Sequence, residues 1–430
     1  MRYNPLPASF YQKKRSAFTA LMHDNATAVL CSNDVKHTNA DDVMGFAQNN
    51  DLFYLSGIDQ DETMLFLYPQ ARKDENREIL FLKKSDPTSK LWDGETLSKE
   101  QAMELSGVNR VEWMDDFEKI LDSLTFEADE IYLCHNEHQK RATRNQETQE
   151  DRWIKWFKEK YPLHNYNRVA TILRELRPIK SAHEIAQIQQ AIDIGIKGFE
   201  RVLRNTEVGM KEYQIEAEIT YNTIQNGGNR HAFLPIVASG KNACALHYNT
   251  NDNICHDEDF LLLDFGVCYG NYNSDTTRCF PINGTFTSRQ KEVYSAVLHC
   301  LKEGSKLMKP GVFHANYEVK MALLIEEQLI KLGLLNADDV VNQDPKKPLY
   351  KKYFMHGTAH YLGLDVHDVG SYERPFEPGM VLTCEPGIYI PEENIGCRLE
   401  NDYLITDNGN INLSEKMPIE IEDIERFMAQ

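Results

Sequence analysis

Residues 355 to 370, MHGTAHYLGLDVHDVG, carry more titratable side chains than a surface loop needs. His356, His360 and His367 lie within this stretch among glycines and aspartates. An imidazole can bind a metal ion or transfer a proton at a substrate, and the residue type alone does not decide between these roles. Asp365 and Asp368 are more simply interpreted as supports of the loop. The remaining ligands or partners must come from elsewhere in the chain.

Carboxylates inside apolar runs are the second chemical signal. Asp264 lies in FLLLDFGV, Glu385 in VLTCEPGIY and Glu400 in GCRLENDYLI, which all read as strands. Burying an unpaired charge is costly, so carboxylates in such places indicate a cation between them. Four oxygen ligands, counting Asp275, with one imidazole favour hard or borderline divalent ions. Shared carboxylates favour two ions.

The spacing of two aspartates predicts a hairpin. Asp275 follows Asp264 by eleven residues, and the midpoint of the pair falls between Tyr269 and Gly270. A turn at that point would place the two aspartates opposite each other on adjoining strands. Like charges in that position repel unless a cation lies between them, which again predicts a metal site.

Four separated motifs carry a resemblance to a known family: LLLDFGVCYGNYNSDTTR, HGTAHYLGLDVHDVG, VLTCEPGIYI and CRLEND. They resemble the metal-site motifs of the M24 metallopeptidases, which have the pita-bread fold, and most closely those of the aminopeptidase P group. The resemblance is dense from about residue 175 and looser before it, where the chain is similar to the creatinase and prolidase type of N-terminal domain. It implies a metal-dependent exopeptidase that hydrolyses the N-terminal Xaa-Pro bond of peptides and releases the first residue.

The resemblance also implies a role for each motif residue. The implied metal ligands are Asp264, Asp275, His360, Glu385 and Glu400, with Asp275 and Glu400 bridging. The implied cofactors are two divalent metal ions, Mn²⁺ ahead of Zn²⁺, Co²⁺ or Fe²⁺. The implied catalytic residues are Glu385, His367 and His247. The implied substrate-binding or supporting residues are His356, Tyr389, Arg398 and Trp92, the last reaching the site of a neighbouring subunit.

The elements that must position these residues form two predicted domains. Before residue 175, strand-like runs such as ATAVLCS and REILFLKK alternate with helical stretches, which predicts an α/β N-terminal domain with a mixed sheet over residues 1–175. Pro178 then interrupts the pattern, and Ser181 with Glu184 has the spacing of a capping box. Residues 176–430 alternate amphipathic helices with the carboxylate-bearing strands, which predicts an α+β catalytic domain of the pita-bread type.

Composition limits the partners. A net charge of −19 over 430 residues repels phosphate backbones and anionic lipid, so we expect neither nucleic acid nor a membrane as the partner. The nine cysteines form no C-x-x-C pair and are odd in number, which predicts a reducing, cytoplasmic location. The expected partners are peptides with proline at the second position and, in a homodimer or homotetramer, further copies of the chain.

Two other functions fit parts of the sequence. A prolidase would share the fold and the ligands but would act on Xaa-Pro dipeptides alone. Dipeptidases of the family often read HGLGH where this chain has HGTAH, which favours the aminopeptidase. A non-catalytic pita-bread scaffold would have lost metal ligands, and all five implied ligands are present here.

Overall fold

The computed structural model describes residues 2–84, 86–138 and 146–430. It divides into two compact units, one of Pro5–Leu176 and one of Arg177–Gln430 together with Met1–Asn4. In the described part of the chain, no helix combines the length and the apolar character needed to span a bilayer.

The first unit is an α/β layer structure around one mixed sheet. Its strands are β1 (Ala26–Cys31), β2 (Met64–Leu67), β3 (Glu78–Leu82), β4 (Arg110–Trp113), β5 (Glu130–Leu133) and β6 (Asn165–Arg168). Its helices are α1 (Ala8–Thr19), α2 (Asn50–Ser56), α3 (Pro87–Asp93), α4 (Lys99–Ser106), α5 (Phe117–Thr125), α6 (Gln149–Lys160) and α7 (Val169–Leu176). The sheet order is β4-β3-β2-β1-β5-β6, antiparallel at β1–β2 and β2–β3 and parallel elsewhere. The predicted mixed sheet is confirmed.

Strands β1 and β2 are buried along their whole length, which explains why they read as apolar runs without alternation. One face of the sheet packs against α5 and α6 through aromatic side chains. Phe81 contacts Phe117 edge-on with ring centroids 5.0 Å apart, and Phe117 contacts Trp153 at 5.1 Å. Offset and edge-on aromatic pairs of this kind add to the burial that holds the layers together.

The second unit carries the predicted chemistry. Its strands are β7 (Arg230–His231), β8 (Ile236–Ser239), β9 (Phe260–Phe265), β10 (Val267–Tyr269), β11 (Tyr272–Asn273), β12 (Thr276–Pro281), β13 (Val381–Cys384), β14 (Gly387–Ile390), β15 (Ile395–Arg398), β16 (Asn401–Thr406) and β17 (Gly409–Asn412). Its helices are α8 (Ala182–Asn205), α9 (Glu212–Gln225), α10 (Ser288–Leu307), α11 (His314–Lys331), α12 (Ala337–Val341) and α13 (Ile421–Met428). The described strands pair as small antiparallel sheets, β11-β10-β7, β12-β9-β8, β13-β16-β17 and β14-β15. The strands of this unit are therefore divided among several small antiparallel sheets.

Helix α8 begins where the capping-box signal predicts a helix start. Glu184 accepts a hydrogen bond from the backbone N–H of Ser181 at 2.8 Å, where α8 begins. The helix then buries an apolar face whose residues recur at three- and four-residue spacing, Ile188, Ile192, Ile196 and Phe199.

The predicted register of the aspartate hairpin is wrong by two residues. Gly270 and Asn271 both have positive φ, 56° and 65°, as a two-residue hairpin turn requires, and the turn is centred on them. Asp264 therefore pairs with Thr277, and Asp275 lies one residue before β12 begins. A shift of two residues preserves the face of the sheet, so the two aspartates still point to the same side.

Candidate active site

Two of the predicted ligands lie where the chain passes from one sheet to another. Strand β13 pairs with β16, whereas β14 pairs with β15. The breaks fall at Glu385 and Pro386 and again at Leu399 and Glu400. The prediction that Glu385 and Glu400 lie inside strands is therefore wrong, because Pro386 has no N–H to continue the ladder and the pairing partner changes there. Both carboxylates are carried at the junction of the sheets.

Three of the predicted ligands form a tight, buried group in the described residues. Ligand atoms of Asp275, His360 and Glu400 all lie within 4.8 Å of one another. Nε2 of His360 is 3.5 Å from Oδ2 of Asp275 and 3.7 Å from Oε1 of Glu385. Ligands held at roughly 2 Å from one ion lie about 3 to 4 Å apart, so these separations fit a shared cation.

His360 is oriented to present a lone pair to these carboxylates. Its Nδ1 is 3.0 Å from the backbone oxygen of Tyr361, a contact in which the ring nitrogen must donate. Nε2 is then the acceptor nitrogen, which is the form that binds a metal. The backbone N–H of His360 also donates to Oγ1 of Thr383 at 3.1 Å, which fixes the start of the loop.

Asp264 is connected to the group through Arg398. Nη2 of Arg398 donates to Oδ2 of Asp264 at 2.6 Å. The other oxygen, Oδ1, is buried and has no hydrogen-bond partner among the described residues. A buried carboxylate oxygen without a donor is unusual and is expected where a cation binds. This oxygen is direct support for a metal ligand at Asp264.

The protonation equilibria of the carboxylates reflect their crowding. Burial, followed by the charge of Asp264, raises the pKa of Asp275 well above its usual range, and burial with Asp275 does the same for Glu400. Burial raises the pKa of Glu385 to about 6. This crowding opposes full ionisation of the group although Arg398 lowers the same pKa values, and a further cation would relieve it. The oxygen and imidazole donors of the group fit a divalent metal ion.

Two supporting residues were missed by the sequence reasoning. Oγ1 of Thr277 donates to Oε2 of Glu400 at 2.7 Å and accepts from Nε of Arg398 at 3.2 Å. Asp402 accepts from the backbone N–H of Asp275 at 3.1 Å, and burial raises its pKa to about 8. Thr277 could have been found from the correct hairpin register, because cross-strand partners share a face.

A hydrogen-bonded chain runs from Arg398 to His356. Nη1 of Arg398 donates to the hydroxyl oxygen of Tyr389, which lies 2.8 Å from Nε2 of His356. Nδ1 of His356 is 2.7 Å from the carbonyl oxygen of Gly357 and must donate to it, so Nε2 accepts from Tyr389. Burial, with the charge of Arg398, lowers the pKa of His356 to about 3, so the ring is neutral at ordinary pH.

The other two predicted histidines are exposed beside this group. The ring of His367 lies 4.4 Å from that of His360, centroid to centroid, at an interplanar angle of 85°. His247 lies in the segment between β8 and β9, and its charge contributes to the lowered pKa of His356. The structure therefore brings both exposed histidines within electrostatic or ring contact of the buried residues.

Buried ion pairs hold the loop of His367. Asp368, the next residue, accepts hydrogen bonds from Nζ of Lys180 at 3.0 Å and from Nη2 of Arg177. Burial alone would raise the pKa of Asp368, but the charges of these two cations hold it below its usual range. Arg177 also donates to Asp365 at 2.7 Å, so one guanidinium binds the loop on both sides of His367.

Trp92 is the one predicted substrate-side residue that lies in the Pro5–Leu176 unit. It is on α3, and 80% of its surface is exposed. Burial of an indole ring is favourable. A ring as exposed as this one is therefore available to pack against a partner surface. Its role at the site of a neighbouring subunit stays a prediction.

Comparison with known proteins places these features in a family context. The sequence model of metallopeptidase family M24 matches residues 186–407, and that of the aminopeptidase P N-terminal domain matches residues 11–132. The Xaa-Pro aminopeptidase of Haemophilus influenzae is 34% identical over 98% of both chains, and that of Escherichia coli K12 is 32% identical over 97% of both. The structure of aminopeptidase P from E. coli with the inhibitor Pro-Leu matches with a TM-score of 0.89 at 30% identity, covering 99% of both chains.

Proposed function

The chain belongs to metallopeptidase family M24, and from this premise we propose that it is a metal-dependent exopeptidase that hydrolyses the N-terminal Xaa-Pro bond of peptides. The observation that carries the proposal is the buried group of Asp275, His360 and Glu400, in a chain similar to Xaa-Pro aminopeptidases over nearly its whole length. A catalytically inactive scaffold would have no reason to maintain such mutually repelling carboxylates in its interior.

The metal would be held by a defined set of side chains. We assign the ligands as Asp264, Asp275, His360, Glu385 and Glu400, with two divalent ions, preferably Mn²⁺. Asp275 and Glu400, whose carboxyl groups both lie near His360, would be the two residues shared between the ions, as the resemblance to the family implies. Bound there, divalent ions supply Lewis acidity and a water-derived nucleophile at neutral pH.

The chain's own residues would manage protons and charge around the scissile bond. Glu385, whose Oε1 lies 3.7 Å from Nε2 of His360, would take a proton and return it to the leaving amine. His367 and His247 are exposed and can donate to the carbonyl oxygen as it becomes an oxyanion. His356, held neutral and fixed by Tyr389, would line the pocket without adding charge.

Preference for proline follows from the chemistry of the bond. The Xaa-Pro bond is a tertiary amide without an N–H, so the pocket needs no acceptor there and can bury the ring against imidazole and phenol faces. An ordinary amide would leave its N–H unpaired on desolvation, at a cost of about 1 to 3 kcal/mol. The free amine of the first residue would meet the acidic group, which fixes the position of cleavage at the N-terminus.

Timed digests of Xaa-Pro-Yaa and Xaa-Ala-Yaa tripeptides by the manganese-loaded enzyme test the proposal, with mass spectrometry as the readout. We expect release of the first residue from the proline peptide and little from the alanine peptide. Cleavage restricted to Xaa-Pro dipeptides would show a prolidase instead. Failure to cleave either at full metal loading would show a scaffold.

Location and assembly complete the proposal. All nine cysteines are free in the structure, which supports a reducing, cytoplasmic environment. The exposed Trp92 supports a homodimer or homotetramer in which the ring meets a second copy of the chain.

A further inference from the structure

Glu212, the first residue of α9, is a fully buried carboxylate outside the metal group. Its Oε1 accepts from the backbone N–H and the hydroxyl of Ser239, both at 2.7 Å, and from the side-chain amide of Asn242 at 3.2 Å. Its Oε2 accepts from the hydroxyl of Tyr248 at 2.7 Å and from the backbone N–H of Asn253 at 3.0 Å. These donors are neutral, so hydrogen bonds stabilise the negative charge.

The donors share one location, the segment 239–253 that contains His247. They include the first and last residues of the segment, a residue of its 3₁₀ turn Gly240–Cys244, and Tyr248, the neighbour of His247. The backbone N–H of Glu212 also donates to the carbonyl oxygen of Asn253 at 3.0 Å. One side chain thus accepts hydrogen bonds from the start, the middle and the end of the segment.

The segment needs such an anchor because His247 itself is exposed. An exposed side chain on a connecting segment has little packing to fix it, whereas a donor to a developing oxyanion must be held within a fraction of an ångström. Burial and the hydrogen bond to Glu212 raise the pKa of Tyr248 to about 12, so its hydroxyl remains a donor throughout the neutral range.

We propose that Glu212 is a positioning residue for the peptide hydrolysis: it fixes segment 239–253 from behind and so holds His247 at the scissile bond. The inference rests on the proposed function. The inference adds Glu212 to that function as a residue that acts through His247. The side-chain hydrogen bonds of Glu212 given above include none to a metal ligand.

Substitution by glutamine is a sharp probe, because it replaces one of the two acceptor oxygens by a donor without changing the shape of the side chain. The amide nitrogen of glutamine donates and cannot accept. Whichever way the amide turns, that nitrogen faces a backbone N–H, either of Ser239 or of Asn253. Glu212→Gln must therefore break the anchor on one side.

Glu216, one turn along α9, supplies the matched control. It bonds the same segment through Nδ2 of Asn251 at 2.9 Å, and an amide oxygen could accept this hydrogen bond equally well. Glu216→Gln removes the same charge from the same helix and preserves the contact. We expect it to behave like the wild type.

The first readout is steady-state kinetics on an Xaa-Pro-Yaa tripeptide with metal content measured in parallel. Glu212→Gln should lower kcat/KM by about ten- to a hundredfold through misplacement of His247, with unchanged metal content. In a His247→Ala background, the same substitution should have almost no further effect. A merely structural role would give losses that multiply in the double variant.

The second readout is hydrogen–deuterium exchange of the full chain with and without manganese. Glu212→Gln should speed exchange in residues 240–253 and leave strand β9 unchanged, and Glu216→Gln should change neither. Should Glu212→Gln fail to fold, Tyr248→Phe removes one donor beside His247 and should lower kcat/KM roughly two- to tenfold.

The outcomes separate the inference from the proposed function. Multiplying losses in the double variant, or unaltered exchange in residues 240–253, would overturn the anchor while the wild type still cleaves proline peptides. A wild type that is inactive at full metal loading would instead overturn the proposed function and the anchor's catalytic purpose together.

Discussion

Buried carboxylates have opposite roles in the metal group and behind the two histidine loops, which are the segments that carry His247 and His367. In the metal group, burial and neighbouring carboxylates raise the pKa of both Asp275 and Glu400, and Oδ1 of Asp264 has no donor among the described residues. Behind the loops, Glu212 and Asp368 are fully engaged, one by neutral donors and the other by two cations. Carboxylates in conflict are arranged to accept a cation from solution, whereas satisfied carboxylates are arranged to fix a backbone.

His360→Ala should disrupt the metal group and give the largest loss of activity. We expect the wild type to bind two manganese ions per chain and the variant to bind fewer. Activity should fall by on the order of 10³-fold or more, because metal chemistry supplies several kcal/mol of transition-state stabilisation. Metal analysis beside a peptide digest measures both. A variant with full metal content would show that His360 is not a ligand.

His367→Ala should lower turnover without changing the metal group. Loss of a donor to the oxyanion should lower turnover by about 10² to 10³-fold, while metal content stays at the wild-type value. His299→Ala, at an exposed position on α10, is the control and should change neither quantity. Equal metal loss in the His360 and His367 variants would show that the two residues do not divide into a metal ligand and a substrate histidine.

Asp368→Asn should show how much a satisfied anchor contributes to stability. It leaves Lys180 and Arg177 buried without their shared counter-charge, which should lower the free energy of unfolding by about 3 to 5 kcal/mol. Asp365→Asn is the matched control: it removes a carboxylate from the same Arg177, but one whose side chain is 44% exposed. Its effect should stay below about 1 kcal/mol in urea titrations.

Asp368→Asn also tests how the contribution of Asp368 to the free energy of unfolding depends on pH. The pKa of Asp368 is lowered in the folded state, so its contribution to stability is present above its unfolded-state pKa of about 3.9 and is lost as pH falls through the folded-state value. The difference in unfolding free energy between wild type and Asp368→Asn should therefore be full at pH 7 and shrink below about pH 4. A difference that grows on acidification would contradict the ion-pair explanation.

The candidate metal ligands could be predicted from the sequence because charged residues are unusual inside apolar runs. Asp264, Glu385 and Glu400 interrupt apolar runs, and a charge in such a place requires an explanation. The mixed sheet of the first unit was also visible, because β1 to β3 are continuous apolar runs. Strands β4 and β6 were missed, since RVEW and NYNR are short and polar and pair only through tertiary context.

The anchors were harder to see. Glu212 opens EYQIEAEITYNTIQ, where glutamates are ordinary on an amphipathic helix and the period gives no hint that this one is buried. The exact pairing of Asp264 with Thr277 depends on two adjacent residues with positive φ, and an estimate from the midpoint of two aspartates does not include that turn chemistry. Asp368 was recognised as a loop support, but its cations lie nearly two hundred residues earlier.

The crowded carboxyl groups of Asp275, Glu385 and Glu400 have a consequence for how the enzyme is loaded. Because burial and crowding raise their pKa values, these groups bind protons more readily than ordinary carboxyl groups do before a cation arrives. Metal uptake is then an exchange of protons for cations. The enzyme should therefore release acid as it takes up metal, and mild acidification of its surroundings should compete directly with the ion, so that proton concentration and metal supply together set the fraction of active enzyme.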